Sequence, residues 1–201
     1  IDGGHDHTGT EKSALDLAAL KAALMDLSPV SGFAIVGQFA TRNPAAFLVS
    51  AYGQALMGGR IKPWAEFVEN AAWWKYRWTR VLRPIVQTAG CASITVWRYE
   101  DYGDLTESIA KTLLGKKHPP VTFQKSEQVN TGLSKAAVKH CLKWHAEGRE
   151  GNLARLARDE FPISAEFPKF NPWSGYDKGY ATACYDRDML ELDDMDGVRV
   201  L

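Results

Sequence analysis

No apolar run in this chain approaches the roughly 18 residues that a membrane-spanning helix needs, so no such segment is expected. Cysteine is scarce. Cys91, Cys141 and Cys184 are odd in number and far apart, and they offer neither metal-ligand spacing nor a disulfide framework. They read as core thiols of a protein from a reducing, cytoplasmic compartment, with no metal site. An excess of charge is missing too. The 24 basic and 24 acidic residues cancel, which removes long-range steering of polyanions and speaks against a nucleic-acid partner. Local basic pockets stay open. Repeats and a signal-peptide pattern are absent, and the chain opens on Ile1-Asp2-Gly3-Gly4-His5 without a methionine, so a natural N-terminal part is expected to precede it.

What is present reads as one α/β domain over residues 1–201, with apolar content of 45%. A helix is expected over 11–27 behind a Thr10 cap, then a strand over 33–39 with the continuous apolar character of a sheet covered on both faces. Asn43 and Pro44 fit the cap and first turn of a helix running to Gly58-Gly59. Further helices are expected from Pro63, over 76–88, 105–114, 134–147 and 152–159, and near 173–185. A second strand is expected over 92–97, and the acidic stretch 191–196 reads as a solvated end. Helix–strand alternation with few strands predicts a short parallel sheet flanked by helices, with a helix-rich C-terminal half.

Arg42 stands at the mouth of the first strand, and Ser50 follows eight residues later on the second turn of the helix. In an open parallel sheet, ligands sit beyond the carboxyl ends of the strands. There a guanidinium, a hydroxyl and the positive end of a helix can converge on a phosphate. The competing reading is a surface arginine and a serine bonded back to its own helix.

The string Arg42-Asn-Pro-Ala-Ala-Phe-Leu-Val-Ser50-Ala-Tyr52 resembles the 3′-phosphate-binding segment of sulfotransferases, a strand followed by Arg-[Asn/Asp]-Pro and a helix bearing Val-Ser-x-Tyr. The resemblance implies that Arg42 and Ser50 hold the 3′-phosphate of 3′-phosphoadenosine-5′-phosphosulfate (PAPS). Residues 92–102, ending in Tyr99-Glu100-Asp101-Tyr102, resemble the family's later strand, which gives Tyr99 a place in the nucleotide pocket. Val129-Asn-Thr-Gly-Leu-Ser134 and Lys169-Phe-Asn-Pro-Trp-Ser174 are similar to segments that precede helices in bacterial members. Together the matches span most of 33–185 in order. They imply a P-loop-like three-layer fold and metal-free, in-line sulfuryl transfer to a hydroxyl or amine on a small-molecule or carbohydrate acceptor.

Two things depart from that pattern. The family's opening loop, Lys-[Ser/Thr]-Gly-Thr-[Ser/Thr], cradles the phosphosulfate with backbone amides and a lysine. Thr8-Gly-Thr-Glu-Lys-Ser13 has the right residue types in the wrong order and reads better as a helix start. A degenerate, non-catalytic nucleotide-binding or assembly module is therefore the alternative expectation, with a nucleotide kinase relative behind it. The catalytic base is also not aligned. His7, and after it His5, lie in the interval where the family carries its base and have suitable chemistry, though His5-Asp6-His7 also reads as a polar terminus or an adventitious metal site. The run Trp73-Trp74-Lys75-Tyr76-Arg77-Trp78 reads as a core face with snorkelling cations, or else as a wall of the acceptor pocket.

Overall fold

The computed structural model describes residues 35–69, 76–87, 91–115 and 132–201. Among them are seven α-helices and three strands in one parallel sheet. The sheet runs in the order β1 (Ile35–Thr41), β2 (Cys91–Arg98), β3 (Val198–Val200). Its register pairs Thr41 with Arg98. The first two strands therefore end side by side, which brings the following residues, Arg42 and Tyr99, to the same sheet edge.

The third strand corrects the expectation of two strands; the acidic residues of 191–196 are exposed as expected, but they belong to the last helix and the turn after it and not to a loose end. The last helix runs eight residues beyond the forecast, and the chain then turns at Gly197, with a φ of +79°, to lay β3 against β2. Ile94 N–H donates to Gly197 O at 2.7 Å and Leu201 N–H to Val96 O at 2.9 Å, closing both ends of that pairing.

The helices are α1 (Pro44–Met57), α2 (Trp64–Glu69), α3 (Trp78–Val86), α4 (Tyr102–Leu114), α5 (Lys135–Ala146), α6 (Leu153–Glu160) and α7 (Gly175–Asp193). Their starts follow local chemistry. The Asn43, Ser134 and Asn152 side chains each accept an N–H of the first turn, and Ser174 with Asp177 forms a reciprocal capping box. The 76–88 forecast starts two residues early, because Tyr76 and Arg77 are still outside the helix. The 105–114 helix starts three residues earlier than expected, directly after a 3₁₀ turn at Tyr99–Asp101.

Two apolar clusters hold these elements. One lies between α3, α7 and the sheet and contains Trp78, Leu82, Ile85, Ile94, Val96, Tyr185, Met189 and Leu192. On β2, Thr95 and Trp97 alternate with Ile94 and Val96, and all four are buried, as suits a strand covered on both faces. The second cluster joins α1, α5 and α6 through Tyr52, Leu56, Ala137, Val138, Cys141, Leu153 and Ala157. Cys141 is fully buried, and Cys184 is half-buried on α7. No helix among the described residues is long and apolar enough to cross a membrane.

Of the aromatic run at 73–78, Trp78 is a core residue, in edge contact with Phe39 and Phe47 at 5.8 and 5.9 Å between ring centroids. Trp73, Trp74, His5, His7, the 11–27 helix and the Thr8–Ser13 stretch lie outside the described residues.

Candidate functional site

β1 is apolar and ends at Thr41, and Pro44 starts α1 two residues after Arg42, so the backbone turns sharply with Arg42 at its corner. Three contacts fix that corner. The Trp78 indole N–H donates to Arg42 O at 2.8 Å, Asn43 N–H donates to Glu100 Oε1 at 3.0 Å, and Asn43 Nδ2 donates to Thr182 Oγ1 at 3.0 Å. Beneath it, Thr41 Oγ1 donates to Trp97 O at 3.0 Å and lies 2.9 Å from the Tyr185 hydroxyl, which sits 3.4 Å from Glu100 Oε2. Burial pushes the Tyr185 hydroxyl well above the usual phenol value, so it holds its proton inside this network.

The Arg42 guanidinium lies over the exposed Tyr99 ring, 4.7 Å from its centroid, a cation–π contact that orients the group. Its Nε is buried and meets no partner, and among the three such side-chain atoms of the described residues (Gln38 Oε1 and Trp97 Nε1 are the others) it alone belongs to a cleft-lining residue. A buried donor left unpaired costs about 1–3 kcal/mol.

That cleft has a volume of about 780 Å³ and lies along α1. Arg42, Ser50 and Tyr99, the three cofactor-binding residues expected from the sequence, all line it. Ser50 does not bond back to its own helix: its hydroxyl has no hydrogen-bond partner among the described residues. The start of α1 is less open than expected. Asn43 N–H is taken by Glu100 and Ala45 N–H by the Asn43 side chain at 3.0 Å, so the anion-binding capacity at this end rests chiefly on side chains.

Sequence reasoning missed the opposite wall. Arg158, Lys169 and Lys178 line the same cleft, together with Phe170, Trp173 and Thr182. Lys169 and Trp173 stand in a motif that the sequence singled out, but with no role attached. Arg158 and Lys178 are single cations on helices, and no sequence spacing marks them. The two motifs preceding α5 and α7 meet here. Ser134 and Lys169 form an antiparallel bridge, in which Lys135 N–H donates to Pro168 O at 2.8 Å and Phe170 N–H to Leu133 O at 2.9 Å. The Trp173 indole N–H donates to Ala45 O at 2.9 Å, tying this wall to the first turn of α1. No group of three or more His, Cys, Asp or Glu side chains among the described residues is placed to hold a metal ion.

No protein-family model, no curated protein and no solved structure matches this chain. Its functional reading therefore rests on the cleft itself: an arginine held over a tyrosine ring, a hydroxyl on the adjoining helix with no partner among the described residues, and a wall rich in cations. Guanidinium, ammonium and hydroxyl groups gathered at the carboxyl end of a parallel sheet have the chemistry to receive an anionic group.

Proposed function

We propose that this cleft binds a 3′-phosphorylated adenosine nucleotide and that the protein is a sulfotransferase, moving a sulfuryl group from PAPS to a hydroxyl or amine. The observation that carries the reading is the convergence on one cleft of Arg42, held over the Tyr99 ring, and of Ser50, whose hydroxyl has no partner among the described residues. Arg42 would hold the 3′-phosphate, Ser50 would donate to it, and the Tyr99 ring would keep the guanidinium turned toward it. PAPS supplies the activated sulfuryl group. The described residues contribute the binding half of this activity, and the expected base, His7 or His5, lies outside them.

The test is a comparison of two nucleotides by titration calorimetry. The parent protein binds 3′,5′-adenosine bisphosphate at least about tenfold more tightly than 5′-adenosine monophosphate, the 3′-phosphate contributing at least one charge-assisted bond. In Arg42→Ala the two bind alike. A parent without that preference, or a variant that keeps it, defeats the assignment. Incubation with labelled PAPS and a pool of hydroxyl acceptors then separates an enzyme from a binding module, since only the enzyme yields labelled product.

A further inference from the structure

Charge is distributed unevenly around the cleft. The chain as a whole is neutral, yet the described lining carries Arg42, Arg158, Lys169 and Lys178 against a single carboxylate, Glu100. Glu100 is already engaged, accepting from Asn43 N–H and lying beside the Tyr185 hydroxyl. A low-dielectric cleft lined by one sign of charge concentrates ions of the other sign.

The four cations fall into two groups. Lys178 lies one helical turn before Thr182, which accepts from Asn43, so it belongs to the Arg42 end. Arg158 and Lys169 belong together at the other end. Ser134 joins their segments, donating through Oγ to Phe161 O, three residues past Arg158, at 2.7 Å and bridging to Lys169 through the main chain. Phe170, next to Lys169, packs on Tyr52 with ring centroids 5.6 Å apart. Tyr52 lies nine residues beyond Asn43, roughly 13 Å along α1 at 1.5 Å per residue. Lys169 has no acidic partner among the described residues, and Arg158 has only a long contact to Asp159 at 3.8 Å.

We propose that Arg158 and Lys169 form a second anion subsite in this cleft, and that it selects an acidic acceptor, a hydroxyl compound bearing a carboxylate or sulfate. The subsite is built from the structure alone, whereas its role in acceptor choice rests on the sulfotransferase reading. The cleft volume, toward the upper end of the roughly 300–1,000 Å³ typical of small-molecule sites, gives room for a second ligand beside the nucleotide. The rings of Phe170 and Trp173 supply an apolar surface beside the cations. Trp173 is held rigid by its bond to Ala45 O and by edge contact with Trp64 at 5.0 Å.

The test uses a heparin-derived tetrasaccharide as the acidic probe and maltotetraose as the neutral one, each titrated into protein saturated with 3′,5′-adenosine bisphosphate. The parent binds the acidic probe and not the neutral one. The double variant Arg158→Gln/Lys169→Gln binds the acidic probe about tenfold or more weakly, while its affinity for the bisphosphate stays within about threefold of the parent. Lys169→Gln alone, which keeps the main-chain bridge, shows the same direction if the double variant does not fold. Equal binding of both probes, or no binding of the acidic one, overturns the proposal. So does a loss of bisphosphate affinity in the double variant as large as that in Arg42→Ala, because these cations would then serve the nucleotide. A parent that binds no bisphosphate defeats the nucleotide reading alone, and the subsite then stands or falls on the tetrasaccharide titrated by itself.

Discussion

Asp188 looks like a solvent residue in the sequence, yet it is 1% exposed, and its removal should be strongly destabilising. Its Oδ2 accepts a short hydrogen bond from Trp78 N–H, while Oδ1 accepts from Thr79 Oγ1 at 2.7 Å and more weakly from Thr79 N–H at 3.4 Å. The carboxylate thus caps the start of α3 from another helix, where Arg77 provides no side-chain cap. Asp188→Ala strands the Trp78 amide and the Thr79 hydroxyl, both in buried residues. At about 1–3 kcal/mol for each buried unsatisfied group, the loss should total roughly 3 kcal/mol, the weak third bond adding little. Asp188→Asn keeps one acceptor oxygen and should lose about half of that. Urea unfolding measures both, with the midpoint shifting at unchanged slope. A loss below about 1 kcal/mol in Asp188→Ala would refute the claim that this carboxylate organises α3, since an ordinary cap alone accounts for that much.

Three further outcomes follow from the same geometry. Trp78→Phe removes the indole donor that holds Arg42 O and should weaken 3′,5′-adenosine bisphosphate binding by roughly three- to tenfold, the value of one ordinary hydrogen bond; an unchanged affinity in calorimetry would free Arg42 from this support. Gly197→Ala should destabilise by about 1–2 kcal/mol, because φ is +79° and a Cβ there would stand 2.9 Å from Val86 Cγ1. Adding Val86→Ala removes the clash but leaves the backbone strain, so rescue measured by thermal melting should be partial. Alkaline stability is the third. Burial raises the Tyr52 hydroxyl from its ordinary 10.0 to about 12 and the Cys141 thiol from 9.0 to about 11. The unfolded chain releases these protons first, so stability is full below pH 9 and falls as the pH rises toward 12. Tyr52→Phe should flatten the upper part of that fall in melting temperatures taken from pH 8 to 11.5.

What could be read in the sequence was local. Asn43-Pro44, Ser134, Asn152 and Ser174 each announce a helix start by their own side-chain chemistry, and each is found at a helix start. Arg42, Ser50 and Tyr99 are linked in the sequence by the resemblance to the sulfotransferase segments, and the parallel register that ends β1 and β2 side by side helps bring them to one cleft. The rest depended on contacts between distant residues. The helix expected near 173–185 runs on to Asp193, because the residues that extend it find their partners only in the fold. Asp188 is inside because it caps α3, and Asp186 is taken by Arg98 at 2.6 Å. β3 has three residues, too few for a pattern, and it forms because β2 offers it a paired edge. Arg158 and Lys178 gained meaning only when three helices brought them to one cleft.

The site's geometry depends on α7 more than on the segment that first suggested it. Reading along that helix, Lys178 lines the cleft, Thr182 accepts from Asn43, and Tyr185 meets Thr41 and Glu100. Asp188 then holds Trp78, whose indole holds Arg42 O, and Met189 packs its sulfur 3.3 Å from Thr41 Oγ1. The spacing 178, 182, 185, 189 is that of one helical face. That stripe touches the end of β1 and the start of α1, and Asp188 beside it holds the start of α3. Arg42 can keep a buried N–H unpaired because its backbone is fixed from three sides and cannot relax toward a partner of its own. Loosening α7 should thus degrade anion binding before it unfolds the protein. A Thr182→Val variant tests this directly: it removes the Asn43 contact at an exposed position, so bisphosphate affinity should drop by roughly three- to tenfold with a change in unfolding free energy below about 1 kcal/mol. Equal effects on both, or an affinity that does not move, would show that Arg42 is positioned by β1 and α1 alone.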